Sequence, residues 1–119
     1  MGALRRFFDR LTETDEARLA TEIREWAESV TGSVRIAEAP NRERVRIAGV
    51  IRRMTVLPMK DNESLEAHVT DGTGEVVVRF MGRRSIVGLG LGSKIVVEGV
   101  LGEQHGARQM LNPSLEFVA

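Results

Sequence analysis

The stretch Leu65-Glu-Ala-His-Val-Thr-Asp-Gly-Thr-Gly-Glu-Val-Val-Val-Arg-Phe80 decides how this chain folds. Leu65, Ala67 and Val69 alternate with Glu66, His68 and Thr70, the two-residue period of a half-buried strand. Asp71-Gly-Thr-Gly74 then supplies the backbone freedom of a tight turn. Val76, Val78 and Phe80 resume the apolar period on the far side. The spacing predicts a β-hairpin with Phe80 turned into a core, and Asp71 capping local N–H groups in the turn.

Working outward, Glu43 to Leu57 reads as a long first strand. Val45 and Ile47 face one way and Arg44 and Arg46 the other. Gly49 interrupts the period and marks the expected bulge or sharp coil. Beyond it the parity is open, so the sequence does not say which of Arg52 and Arg53 shares the face of Arg44. Pro58 is expected to end the run, with a polar loop from Met59 to Ser64. After the hairpin, Gly82 to Gly88 has room for one helical turn. The glycine-rich Gly88-Leu-Gly-Leu-Gly-Ser93 is not a phosphate-binding loop, because Ser93-Lys94 reverses the required order and a strand follows it. That fourth strand starts at Lys94, Ala107 to Leu111 forms a fifth, and Leu115, Phe117 and Val118 seal the end of the core.

Residues 1–40 read as a helical preface and connector, and 41–119 as the β domain. In the preface, Leu4, Phe7, Phe8 and Leu11 recur at helical spacing. Thr12-Glu-Thr-Asp15 resembles a helix N-cap region. A second stripe, Leu19, Ile23, Trp26 or Ala27, and Val30, predicts a further helix ending near Gly32. A short strand is expected at Val34 to Ala37, before Pro40. The stripes predict packing on the β domain or on another subunit, with Trp26 a packing residue.

A chain of 119 residues is the size of one domain and buries roughly two thirds of its unfolded surface. It has no cysteine, which removes disulfides, thiol catalysis and Cys-ligated zinc. No apolar run approaches a membrane span or a secretory signal, and Arg6 stands where a myristoylation motif needs Ser or Thr. A cytoplasmic location is the expectation. The charge is balanced, with 17 basic and 17 acidic residues. It is unevenly spread: residues 1–40 carry net −2 and 41–119 net +2, and six basic residues between Arg42 and Lys60 are opposed by Glu43 alone. Such a patch can attract polyanions locally, with a strong salt dependence.

Four segments together resemble the OB-fold nucleic-acid-binding superfamily. They are Arg44-Val-Arg-Ile-Ala-Gly-Val-Ile51, the hairpin, Leu91-Gly-Ser-Lys-Ile-Val-Val-Glu-Gly-Val-Leu-Gly102 and Gln109-Met-Leu-Asn-Pro-Ser-Leu-Glu-Phe117. Within it they resemble the wedge domain of RecG-type branched-DNA helicases and anticodon-binding-like OB domains. The chain is also similar to a family of small actinobacterial OB-fold proteins. The resemblance implies a mainly β fold, a five-stranded Greek-key OB-fold barrel preceded by one or two N-terminal α-helices. It implies a single-stranded DNA or RNA ligand across the second and third strands. The residues this assigns to binding are Arg44, Arg46, Arg52, Arg53, His68, Arg79, Arg83 and Arg84, with Glu66 and Val77 on the same face. Arginine suits the task, since its fork pairs with phosphate and its plane stacks on bases.

The sequence departs from strong single-strand binders in having few aromatic platforms, which implies modest affinity. No histidine, cysteine or carboxylate cluster has metal-ligand spacing, so no cofactor, metal or catalysis is expected. His105 reads as a solvated turn residue. The alternative is a protein-interaction or assembly module, pairing with a second copy or another protein through the N-terminal helices. One contiguous arginine patch favours the first reading, and scattered arginines paired with Glu66 and Glu98 favour the second.

Overall fold

The computed structural model describes residues 2–59 and 62–118. The side chains of residues 5–13 and of Met59 fall outside that description. The expected placements of Phe7, Phe8, Leu11 and the Thr12 cap, and of Lys60 and Asp61, therefore lie outside the described residues.

Helix α1 spans Gly2–Ser29, and a single 3-10 turn follows at Ile36–Glu38. The helical preface is thus one α-helix and one short turn rather than two α-helices. Thr12 to Asp15 has capping-type residues, yet no Gly or Pro interrupts residues 3–31, and the helix runs through. Gly32, at φ 81°, lies just beyond its end. The expected strand at Val34 to Ala37 is replaced by the 3-10 turn, with Ile36 driven into the core.

Six strands follow: β1 (Arg44–Met59), β2 (Asn62–Thr70), β3 (Glu75–Met81), β4 (Lys94–Gln104), β5 (Ala107–Leu111) and β6 (Ser114–Phe117). β1 pairs with β2, β2 with β3, β3 with β5, β5 with β4 and β4 with β1, so five strands form a ring of pairings. All are antiparallel except β3 with β5. This is an OB-like arrangement. β6 adds itself to β4 outside the ring. No helical turn forms between β3 and β4.

The hairpin holds its expected register, with Leu65 opposite Phe80, Ala67 opposite Val78 and Val69 opposite Val76. All six are buried, and they meet Val45, Ile47, Ile51, Ile95, Val97, Leu101 and Met110 inside the ring. Alternation in sequence becomes one face of this core because successive side chains leave a strand in opposite directions.

β1 changes partners midway. Residues 44–50 pair with β4 and residues 50–59 with β2, so Val50 faces both Lys94 and Thr70. Gly49 sits at this crossing, where a Cβ would stand 2.5 Å from the Val69 Cγ1 and 2.8 Å from the Thr70 carbonyl. The register slip itself falls between Ile51 and Arg53, not at Gly49. The glycine permits close approach and the bulge takes up the extra residue. β1 also continues through Pro58 to Met59, since its outer half pairs only with β2 and an edge position tolerates proline.

On the outside of the ring, Ala27 of α1 packs on Ala48 and Val96, flanked by Trp26, Val30 and Val118. Trp26 is partly buried, with the Lys94 ammonium 5.2 Å from its ring centre. The turn Asp71–Gly74 ties this helix and the connector to the ring. Asp71, 2 % exposed, accepts through one carboxylate oxygen from the Thr73 amide (2.9 Å), the Thr73 hydroxyl (2.6 Å) and the Gly74 amide (3.2 Å). Its other oxygen accepts from the Ile36 amide at 2.8 Å. Arg108 of β5 holds the same connector, donating to the carbonyls of Ile36 and Ala39 and, at 3.2 Å, to the Asn41 side chain.

Candidate nucleic-acid interface

The outer face of the hairpin is polar because the inward set has taken its apolar residues. Glu66, His68 and Thr70 on β2 lie opposite Arg79, Val77 and Glu75 on β3. β5 lies beside β3, with Gln109 at the level of Val77. The β4–β5 turn closes the far rim, with His105 at φ 53° and Gly106 at φ 78°. Together Glu66, His68, Val77, Arg79, Gln104, His105, Ala107 and Gln109 line an open groove of about 420 Å³.

The bulge in β1 settles the parity of its two central arginines. Arg53 pairs with His68 across the sheet, and its Nη2 stands 3.4 Å from His68 Nε2. Arg52 instead lies toward α1, lining a recess with Glu16, Leu19, Ala20 and Ile23. One residue of slip sends adjacent arginines to different places.

The groove's charged groups form one network. His68 Nδ1 is 2.8 Å from Glu75 Oε1 and its Nε2 is 3.2 Å from Glu66 Oε1. Arg79 donates to Glu66 Oε2 at 3.0 Å. A neutral ring protonated on Nδ1 donates to Glu75 and accepts from Arg53, whereas a doubly protonated ring donates to both carboxylates. Two arginines and two glutamates therefore balance. The Arg79 Nε is buried without a partner among the described residues.

The eight arginine and histidine positions singled out from the sequence do not form one patch. Arg53, His68 and Arg79 come together. Arg44 and Arg46 lie on the half of β1 that pairs with β4, where Arg44 meets Glu98 at 3.2 Å. Arg46 makes two hydrogen bonds to the Glu116 carboxylate, at 3.0 and 3.3 Å. Those bonds, with the accompanying charge attraction, hold the Glu116 carboxyl below its ordinary value and raise that of Arg46. Arg83 lines a separate recess with Phe80, Ile86, Asn112, Pro113 and Leu115, and Arg84 meets Glu63 at 3.5 Å. The arginines from Arg44 to Arg53 are dispersed because β1 coils, bulges and changes partners among them.

Sequence reading missed the rim residues Gln104, Ala107 and Gln109, and His105 was expected only as a solvated turn residue. The available signal was order: a polar turn joining the fourth and fifth strands returns beside the third. Among the described residues no group of three or more His, Asp or Glu side chains has the geometry to hold a metal ion. No helix among them is long and apolar enough to cross a membrane.

No family model and no curated protein matches this chain. Among solved structures it is similar to a chain of a replication protein A heterotrimer bound to single-stranded DNA. The TM-score is 0.52 at 17 % identity, over 76 % of this chain and 68 % of that one. At that identity the likeness is one of fold, and it agrees with the OB-like ring of pairings.

Proposed function

We propose that the protein is a non-catalytic nucleic-acid-binding module that takes single-stranded or irregular DNA or RNA with modest affinity. The observation that carries this reading is the groove across β2, β3 and β5, rimmed by the β4–β5 turn and holding His68 and Arg79, with Arg53 beside it. Its floor offers the flat imidazole of His68 and the apolar Val77, and its rim offers the amides of Gln104 and Gln109. That combination suits unstacked bases better than a duplex, whose base faces are covered. The likeness to a chain from a single-strand DNA complex supports the same reading. A wedge-like role at branched DNA is a narrower form of it, and a cysteine-free chain fits a cytoplasmic setting.

Modest affinity follows from the balanced network and from the lack of exposed aromatic side chains in the groove. The test is titration of fluorescently labelled single strands at low and moderate salt. Binding at low salt that fades as salt rises is expected. R53A and R79A should each weaken it by about three- to tenfold, and R44A or R46A by less than about twofold. No binding at low salt would end this reading.

A second reading has its own support. Arg44, Arg46, Arg79 and Arg84 are each paired with a carboxylate, and the arginines are scattered. Helix α1, about 42 Å long at 1.5 Å per residue, buries only Ile23 and Ala27 among its described side chains, and Leu4 and Leu19 stay exposed. An assembly module using α1 would show a concentration-dependent mass in light scattering that L4E or L19E abolishes. A constant monomer mass would count against it.

A further inference from the structure

We infer that Glu66 sets the selectivity of the groove, excluding phosphate from its floor so that only the bases of a strand enter. The inference rests on the nucleic-acid reading above and adds to it the residue that decides how a strand is presented.

The geometry singles out Glu66 from the other carboxylates. It lines the groove from β2, with its side chain only 15 % exposed, and both of its oxygens are engaged. Oε2 accepts from Arg79 at 3.0 Å, and Oε1 lies 3.2 Å from His68 Nε2. One carboxylate thus faces both Arg79 and His68 on the floor. Glu75, the other acid of the network, is 57 % exposed and pairs with His68. Glu98 and Glu63 pair with arginines outside the groove.

A phosphate moving onto Arg79 would bring a second negative charge within a few ångströms of the Glu66 carboxylate. Like charges at that range repel, and the partly buried setting screens them less than water does. A base edge meets no such repulsion. The Arg79–Glu66 pair presents donors beside an acceptor, which matches the mixed donor and acceptor edges of nucleobases and not the acceptor-only edge of a phosphate. The backbone is then left to the rim and to Arg53, where β1 borders the groove.

The test compares wild type with E66Q, E75Q and E98Q. The probes are a short labelled DNA strand of mixed sequence and an abasic strand with the same number of phosphates. Wild type should bind the abasic strand at least about tenfold more weakly than the base-bearing one. E66Q keeps the shape and removes the charge. It should bind the abasic strand about tenfold more tightly than wild type, with a salt slope steeper by about 0.7, the value for one additional phosphate contact on a single strand. E98Q makes the same change of net charge outside the groove and should leave both affinities within about twofold. E75Q should fall between them.

Three results would overturn the inference. One is equal binding of both strands by wild type and another is E66Q behaving as E98Q does, and in either case the nucleic-acid reading survives. If wild type binds no strand, both fall together.

Discussion

Replacing Asp71 with alanine tests what the hairpin turn contributes. The carboxylate accepts four hydrogen bonds, three from Thr73 and Gly74 and one from the Ile36 amide, 35 residues earlier in the chain. Hydrogen bonds to a charged group contribute about 1.5–3 kcal/mol each in favourable cases, but water can replace those at the half-buried Thr73 and Gly74. The Ile36 amide has no such recourse, because that residue is 1 % exposed. An orphaned buried N–H costs about 1–3 kcal/mol, so D71A should lose about 2–4 kcal/mol in all. For a chain of 119 residues, 1 kcal/mol corresponds to about 4 °C in melting temperature. The expected shift is therefore about 8–16 °C downward by calorimetry, and D71N should lose roughly half as much. Amide exchange at Ile36 should accelerate in step. A shift below about 4 °C, with Ile36 still protected, would refute the argument that this side chain joins the connector to the ring.

Three other perturbations have defined outcomes. G72A forces a Cβ to within 2.4 Å of the Ala20 carbonyl of α1 at φ 84°, and should destabilise by about 2 kcal/mol or more in urea titration. R108K cannot span the Ile36 and Ala39 carbonyls with one fork, and should cost about 1–2 kcal/mol by the same measurement. The Glu116 carboxyl is held low in the folded state, so its stabilising effect is present above the unfolded value and is lost as pH falls through the folded one. E116Q should accordingly melt slightly below wild type at neutral pH and match it well below about pH 4.

What could be read from the sequence follows the range of the forces involved. The hairpin was legible because parity is local: once Leu65 faces inward, Ala67, Val69 and their partners Val76, Val78 and Phe80 must follow. The role of Asp71 in its turn was legible for the same reason. Its reach to Ile36 was not, since nothing within a few residues of either position records the other. The coil of β1 was signalled by Gly49, but the slip sits at Arg52, just beyond Val50 where the strand exchanges β4 for β2, and that exchange is a property of the ring of pairings. The site suffered most. The partners of Arg44, Arg46 and Arg79 lie 54, 70 and 13 residues away, and only the last pairing falls inside a hairpin whose register the sequence determines. Composition showed a basic run between Arg42 and Lys60, and the fold divides Arg44, Arg46, Arg52 and Arg53 among three surfaces.

The hairpin therefore has two jobs divided by its two faces. Its inner face builds the core, and its outer face holds the network on which the proposed binding depends. The most direct test is amide chemical-shift mapping with an unlabelled single-stranded oligonucleotide added to the isotope-labelled protein at low salt. The account predicts that the largest changes fall on His68, Val77, Arg79, Gln104, His105 and Gln109, with Arg53 at their edge. Changes centred on α1 or on Arg44 and Arg46, with the groove silent, would contradict it.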